Sequence, residues 1–177
     1  MQLQPGQTLD APLALRTLRD TVVAVPAGGA RFTHLQLRRF AGCPICNLHL
    51  RQIARRHSDL LGAGIHEIAV FHSDAETMRP FQADLPFDVV ADPTRELYRT
   101  FGVETSLRSV ADPRAWVALL RGMTASHPKG AMTGEGGHLG LPVDFLFDEV
   151  GRVVASKYGA HADDQWSVDE LLALAGD

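Results

Sequence analysis

The sequence has few of the features that mark a disulfide-stapled, nucleic-acid-binding or membrane-spanning protein. Only two of its 177 residues are cysteine, 7% are aromatic, and the formal net charge is −4. No basic run is interleaved with aromatic residues, which argues against nucleic acid as a partner. No apolar run approaches the roughly 18 residues needed to span a bilayer. These absences leave a globular chain whose partners are neither nucleic acid nor a membrane.

The amino terminus also lacks the pattern of a secretory signal, a charged segment followed by an apolar one. We therefore expect a cytoplasmic protein, in which two cysteines are more often catalytic or metal-binding than a permanent disulfide. A length of 177 residues fits one ordinary domain with a sizeable core. Since no linker or internal repeat divides the chain, we predict a single domain over residues 1–177.

Strand and helix patterns alternate along the chain, which predicts a mixed α/β sandwich. Strands are predicted at residues 21–25, 30–40, 65–74 and 87–93, with a β-hairpin at 141–159, and helices at 44–61, 76–83, 96–103, 112–122 and 167–176. Ser167 and Glu170 have the spacing of a capping box at the start of the last helix. The long glycine-rich connection at residues 126–140 is of a kind that is often functional.

The segment CPIC at residues 43–46 holds both cysteines. Pro44 suits the first position of a helix, because its missing N–H costs nothing there, and this makes Cys43 the N-cap. The sulfur of Cys43 then faces the positive end of the helix dipole, with Arg38 and Arg39 just upstream. We therefore expect Cys43 to be exposed, to have a lowered pKa and to be the better nucleophile.

Cys46 lies one helical turn after Cys43. It shares a stripe at helical spacing with apolar residues, and this face is expected to pack on the sheet. Cys46 should thus be the more buried thiol, close enough to resolve a mixed disulfide or a sulfenate on Cys43. The other members of the stripe are Leu50, Ile53, His57 and Leu60 or Leu61.

Two other interpretations of the cysteines stay open at this point. Cys43, Cys46 and His49 could supply three metal ligands, although a structural zinc site usually needs a second close pair and the sequence has none. The cysteines could also be inert core residues. Reversible dithiol chemistry is favoured, because a C-x-x-C in a cytosolic α/β context is typical of a redox motif. This interpretation requires neither a metal nor a cofactor.

Together with the segments that follow it, the CPIC helix resembles the peroxiredoxin-like proteins of the alkyl hydroperoxide reductase/thiol-specific antioxidant group, within the thioredoxin-fold superfamily. Three segments carry the resemblance: LRRFAGCPICNLHLRQ, VFHSDAETMRPFQADLPFDVVADPTRELYRTFGV and GLPVDFLFDEVGRVVASKYGAHADDQWSVDELL. It implies a thioredoxin-like fold, with a central mixed β-sheet flanked by helices, an N-terminal strand extension and one inserted helix. It also implies a peroxide or disulfide substrate and a thioredoxin-like reductant, and it leaves a homodimer open.

By the same resemblance, the bond between Leu141 and Pro142 takes the place of the cis-proline that lies against the active disulfide in thioredoxin-fold proteins. Cys43 and Cys46 are then the catalytic residues. The residues expected to contact the substrate are Pro142, Pro44 and Arg39. In the loop at residues 126–140, His127, Lys129 and His138 are further candidates to supply a proton or a positive charge.

The residues before the cysteines depart from the peroxiredoxin pattern P-x-x-x-T-x-x-C. Phe40 and Gln36 stand three and seven positions before Cys43, and residues 139–144 lack the arginine usual near the hairpin strand. The thioredoxin signature W-C-G-P-C is absent too, since Gly42 precedes Cys43. The predicted function is thiol-dependent reduction of peroxides through the CPIC pair. The alternatives are a thiol–disulfide oxidoreductase without peroxidase activity and a non-catalytic redox-sensing or metal-binding module.

Overall fold

The computed structural model of the chain describes residues 2–103 and 141–176. Within those ranges, strands and helices alternate as the sequence predicts. The elements are β1 (Leu13–Arg16), β2 (Val22–Val25), β3 (Phe32–Leu37), α1 (Pro44–Arg55), α2 (His57–Gly62), β4 (Ile65–Phe71), α3 (Ala75–Gln82), β5 (Asp88–Ala91), α4 (Glu96–Thr100), β6 (Val143–Asp148), β7 (Val153–Tyr158) and α5 (Val168–Gly176).

Five strands form a mixed sheet in the order β5-β4-β3-β6-β7. The strands β3, β4 and β5 run parallel, whereas β6 is antiparallel to β3 and β7 is antiparallel to β6. Parallel neighbours need a crossover connection. Helices α1 and α2 provide it between β3 and β4, and α3 provides it between β4 and β5. The predicted α/β fold with a central mixed sheet is confirmed.

The N-terminal extension is a separate antiparallel pair formed by β1 and β2. It is fixed to the edge strand β5, where the backbone N–H of Leu18 donates to the carbonyl of Val89 at 2.8 Å and Thr17 forms a bridge with Val90. A second bridge joins Thr8 to Arg152 at the opposite edge of the sheet. The extension therefore contacts both edges of the sheet.

All six residues of β3 are buried, because the strand is central and both of its faces are covered. Leu35 and Leu37 point into an apolar cluster that includes Phe145 and Phe101. The alternate residues point to the other face, where His34 lies 5.9 Å from the ring of Trp166, measured between centroids. Trp166 is 7% exposed and is a core residue.

The predicted helix at residues 44–61 is two helices, because the backbone leaves helical geometry at Arg56, with φ −114° and ψ 20°. The change of direction leaves Leu61 55% exposed, so Leu60 alone continues the apolar stripe.

The predicted helix at 112–122 and the loop at 126–140 lie outside the described residues. A single domain over 1–177 stays a prediction. Within the described ranges, no helix is both long and apolar enough to cross a membrane.

The predicted capping box begins helix α5. The backbone N–H of Ser167 donates to Glu170 Oε2 at 2.7 Å, and the backbone N–H of Glu170 donates to Ser167 Oγ at 3.2 Å. Both residues thus satisfy backbone donors that the first helical turn leaves unpaired. The start of α5 was therefore predictable from two residues of local sequence.

Candidate active site

The two cysteines lie between the end of β3 and the first turn of α1. Cys43 is the N-cap, with an extended backbone at φ −65° and ψ 113°, and Pro44 is the first helical residue, as predicted. The backbone N–H of Cys43 donates to the carbonyl of Phe40 at 3.0 Å, which closes a turn before the helix. Both cysteines are free thiols.

The accessibility predicted for Cys43 is wrong. Cys43 is 1% exposed and Cys46 is fully buried. The preceding Phe40 and Ala41 are 4% and 0% exposed, so the whole turn that carries Cys43 packs into the protein. In the reduced state, neither sulfur offers surface to a substrate, and the turn has to open before either thiol can react.

The two thiols shift each other's pKa in opposite directions. The interaction with Cys46, together with burial, raises the pKa of Cys43. The interaction with Cys43 lowers the pKa of Cys46 to about 7, against the opposing effect of burial and with help from Arg39 and Arg38. The expected lower pKa at Cys43 is therefore wrong for the reduced protein, because the neighbouring sulfur and burial both raise it. Of the two thiols, Cys46 is the one that ionises more readily.

Arg39 is brought to the cysteines as the sequence predicted. Its Nη1 donates to Cys43 Sγ at 3.9 Å, the side chain is 4% exposed, and the guanidinium lies 5.6 Å from the ring centroid of Phe40. A positive charge next to a thiol favours the thiolate. Arg39 can therefore stabilise negative charge on either sulfur. This electrostatic effect is large because the arginine is buried.

A hydrogen-bonded clamp, which sequence reasoning missed, holds the turn before Cys43. The backbone N–H of Ala41 donates to Ser73 Oγ at 3.0 Å, at the end of β4. The carbonyl of Ala41 accepts from Asn47 Nδ2 at 3.0 Å and from Gln82 Nε2 at 2.9 Å. Polar side chains from three separate elements thus fix one small residue. No local pattern marks Ser73 or Gln82 as partners of residue 41.

Pro142 lies at the same end of the sheet as the cysteines, but the predicted cis bond is not there. The register that pairs Leu37 with Val143 places Pro142 beside the residue that follows β3. Among the described residues the cis peptide bond joins Val25 to Pro26, so the bond from Leu141 to Pro142 is trans. The trans form is the favoured one for an X-Pro bond, and only the family resemblance suggested otherwise. The carbonyl of Pro142 accepts from the N–H of Gly159 at 2.9 Å, inside the hairpin.

Behind the cysteines lies a group of buried polar side chains that the sequence did not predict. Arg38 is fully buried and donates through Nη2 to Asp144 Oδ1 at 2.6 Å and through Nη1 to Asp144 Oδ2 at 3.3 Å. Its Nε donates to Gln36 Oε1 at 2.8 Å, and Nη2 lies 3.3 Å from His49 Nε2 on α1. Arg38 therefore links two strands of the sheet to the CPIC helix.

The same group continues along β3 to β4. His34 is fully buried, with Nε2 2.9 Å from Asp144 Oδ1 and Nδ1 2.5 Å from Glu67 Oε1. Gln36 Nε2 donates to Glu67 Oε1 at 2.5 Å. We call His34, Gln36, Arg38, His49, Glu67 and Asp144 the buried polar cluster. One signal was present in the sequence, since polar residues at 34, 36 and 38 alternate through an otherwise apolar central strand.

The remaining predicted site residues divide between those outside and those inside the described ranges. His127, Lys129 and His138 lie outside them. Among residues 2–103 and 141–176, no group of three or more His, Cys, Asp or Glu side chains is arranged to hold a metal ion. His49 is 6% exposed and faces Arg38, so it packs against the sheet.

A central mixed sheet, with a helix that begins at the first cysteine of a Cys-Pro-x-Cys pair, defines a thioredoxin-like protein with a dithiol at its candidate site. A model of the AhpC/TSA antioxidant enzyme family matches residues 52–161, which is more than half of the chain. The chain belongs to this family, and it is a thiol-dependent oxidoreductase. The matched segment begins after Cys46, so it does not include the two cysteines, and their roles stay a prediction.

Solved structures share this fold over nearly the whole chain. Peroxidoxin BcpB from Mycobacterium tuberculosis is 13% identical, with a TM-score of 0.71 and coverage of 99% of this chain and 97% of that one. A putative thiol:disulfide interchange protein DsbE from Chlorobium tepidum is 19% identical, with a TM-score of 0.64 and coverage of 99% and 100%. Peroxiredoxin Q from Xanthomonas campestris is 18% identical, with a TM-score of 0.64 and coverage of 99% and 96%. No curated protein sequence matches the chain significantly.

Proposed function

We propose that the chain reduces peroxides, or related oxidised substrates, through a dithiol/disulfide cycle between Cys43 and Cys46. The observation that carries this proposal is the placement of two free thiols together at the start of α1, where each shifts the pKa of the other. Arg39 adds a positive charge at 3.9 Å from Cys43 Sγ. Two thiols that share one proton beside a cation form a reactive pair, because one of them is ionised near neutral pH.

The cycle starts with a proton transfer inside the pair. The proton on Cys43 moves to Cys46, which leaves the thiolate on the N-cap residue, at the end of the helix. When the turn opens, the Cys43 thiolate attacks one peroxide oxygen; the S–O bond forms, the O–O bond breaks, and the leaving alkoxide takes a proton to become an alcohol. The Cys46 thiol then loses its proton and attacks the sulfenic sulfur, which forms the disulfide and releases water. Overall, two thiols and a hydroperoxide give a disulfide, an alcohol and water.

Restoring the thiols requires an external dithiol. A thioredoxin-like reductant fits, because its thiolate can attack the Cys43–Cys46 disulfide and its second thiol can release the mixed disulfide. We place this cycle in the cytoplasm, where such reductants keep thiols reduced. Coupling to a thioredoxin, its reductase and NADPH should give peroxide-dependent NADPH consumption, whereas glutathione alone should support less.

A second candidate is a thiol–disulfide oxidoreductase that acts on disulfides and hardly on peroxides. Phe40 supports it, because a buried apolar ring stands where the peroxiredoxin signature places a threonine hydroxyl. The DsbE-like neighbour shares the same fold. Stopped-flow reaction of the reduced protein with hydrogen peroxide separates the two candidates. A rate no faster than that of a free thiol would remove the peroxidase and leave the disulfide reductase.

Single serine variants test which sulfur attacks. Cys46→Ser should trap a mixed disulfide, or a sulfenate that reacts with dimedone, on Cys43, because the resolving thiol is gone. Cys43→Ser should accumulate neither adduct and should lose at least about a hundredfold of the turnover rate, on the scale typical of a lost nucleophile. Mass spectrometry of tryptic peptides locates the adduct. An adduct on Cys46 in Cys43→Ser, with turnover retained, would reverse the assigned roles.

A further inference from the structure

The buried polar cluster takes no chemical step in the cycle described above, yet it brings several ionisable side chains together in the interior. Arg38, His34 and Asp144 are each fully buried, and Glu67 is 1% exposed. Removing ionised side chains from water costs several kcal/mol for each, and an apolar set of similar volume is often as stable or more stable. Such a cluster beside a reactive site therefore points to a role in the chemistry.

The charges of the cluster balance. Burial alone would lower the pKa of His34, but the carboxylates of Glu67 and Asp144 raise it to about 9, so the ring is an imidazolium at neutral pH. Burial would raise the pKa of Asp144, but Arg38 and His34 lower it. Two cations therefore face two carboxylates. His49 adds no charge, because burial and Arg38 lower its pKa well below the ordinary value.

The cluster reaches the redox pair through Arg38 and α1. His49 lies one helical turn after Cys46 on the buried face of α1, and its Nε2 is 3.3 Å from Arg38 Nη2. The backbone is fixed at the same place, since Tyr98 donates through its hydroxyl to the carbonyl of Arg38 at 2.5 Å. Asp144 holds the guanidinium from the opposite side, with two contacts. Arg38 is thus held between the sheet and the helix that carries Cys46.

We propose that the buried polar cluster is the electrostatic positioning unit of the CPIC pair: Asp144, His34 and Glu67 hold the Arg38 guanidinium beside α1, where its charge stabilises the thiolate of Cys46. By reciprocal linkage, the thiolate then stabilises the proton on His34. The proposal deepens the dithiol cycle proposed above and rests on it. All of these residues are buried and act through the Arg38 guanidinium, so each is a positioning residue.

Titratable groups from every neighbouring element face this cluster. Their charges decide how a proton on His34 responds to the redox state of the cysteines. They are Arg38, which directly follows β3, Glu67 from β4, Asp144 from β6, His49 and Cys46 from α1, His57 from α2, which interacts with Glu67, Tyr98 from α4, which interacts with Arg38, Lys157 from β7, which interacts with His49, and Glu170 from α5, which interacts with Asp144.

The first test uses the unaltered protein and needs no turnover. Nitrogen-15 NMR of the imidazole rings gives the titration midpoint of His34 in the reduced and in the oxidised chain. We expect His34 to be an imidazolium at pH 7 in the reduced chain and to titrate at lower pH after oxidation, because the nearby thiolate is lost. A neutral His34 at pH 7, or the same midpoint in both redox states, would overturn the proposal.

The second test measures the thiolate itself by its ultraviolet absorbance, as reduced-minus-oxidised difference spectra over pH. Arg38→Met should raise the midpoint by about half to one pH unit, which is roughly a threefold to tenfold lower thiolate fraction at pH 6. Arg38→Lys should show no more than half of that shift, because lysine keeps the positive charge and loses only the planar geometry of the guanidinium.

Leu35→Ala is the matched control, since it disturbs the opposite face of the same strand without removing a charge. Its thiolate midpoint should equal that of the original chain. Equal shifts in Arg38→Met and Leu35→Ala would mean that destabilisation, not charge, moves the midpoint, and would overturn the proposal, as would an unchanged midpoint in Arg38→Met. If Arg38→Met does not fold, the NMR comparison decides. Both measurements stay valid even if the chain reduces no peroxide.

Discussion

The two faces of β3 are buried equally and built from opposite chemistry. Leu35 and Leu37 on one face join aromatic rings from β6 in an apolar cluster. On the other face, His34, Gln36 and Arg38 join carboxylates from β4 and β6. Apolar burial stabilises a fold without specifying any chemistry, whereas buried charge costs desolvation and needs a partner for every group. The face that carries the buried charged groups is the one that contacts the CPIC helix.

The largest effect is expected when a charge on the polar face loses its partner. Asp144→Ala should lower the free energy of unfolding by about 3–5 kcal/mol, because it leaves the Arg38 guanidinium buried without its carboxylate. Urea denaturation of the reduced protein at pH 7 measures this loss. Leu35→Ala on the apolar face is the control, with a loss of about 2–5 kcal/mol from the cavity it creates. An Asp144→Ala chain as stable as the original would mean that the ion pair does not form in solution.

The two faces should also differ in how stability depends on pH. The pKa of His34 is raised from 6.5 to about 9. A raised pKa gives stability that is complete below pH 6.5 and is lost as the pH rises through about 9, a loss of about 3 kcal/mol. The thiols titrate in the same range, so the measurement belongs in a Cys43→Ala/Cys46→Ala background.

In that background, urea midpoints between pH 6 and 9 should fall for the parent chain and for Leu35→Ala alike. Adding His34→Gln should make the urea midpoint nearly independent of pH in this range, since the titrating imidazole is gone. If the His34→Gln chain kept the full pH dependence of its urea midpoint, a group other than His34 would be responsible. That result would contradict the expected difference between the two faces of β3.

The smallest effect is expected where the two faces meet. Tyr98 packs in the apolar cluster, but its hydroxyl donates to the carbonyls of Arg38 at 2.5 Å and Val70 at 3.0 Å. Tyr98→Phe should lower the free energy of unfolding by about 1 kcal/mol, the usual net contribution of such a hydrogen bond. The loss should not vary between pH 6 and 9, because the pKa of Tyr98 is raised by burial. A pH-dependent loss would show that the hydroxyl is coupled to the buried charges.

Local sequence was enough to predict most of the fold. The alternation of strand and helix patterns and the capping box at Ser167 both depend on residues a few positions apart. Strand β1 was not predicted, because four residues of LALR carry little pattern and pair only through β2. The kink at Arg56 was missed for a similar reason, since residues 44–61 read as one continuous helix.

The candidate site was predictable in part. Cys43, Pro44, Cys46 and Arg39 lie within eight residues, and a helix start brings them together without help from the rest of the chain. Ser73 and Gln82, which clamp Ala41, could not be found, because they come from the ends of β4 and α3. The cis bond expected at Pro142 was wrong because it came from a resemblance and not from any property of the residues around it.

By itself, the sequence determined where the redox helix begins and which cysteine caps it, because Pro44 and the spacing of CPIC act within one helical turn. Only the tertiary structure decided that Cys43 is buried and that its pKa is raised, since burial and the neighbouring sulfur both depend on packing. It alone also joined His34, Glu67 and Asp144, which are distant in the chain and meet on adjacent strands of one sheet. The start of a helix depends on residues that are neighbours in the chain. The electrostatic environment of a buried thiol depends instead on side chains from strands that are far apart in the sequence.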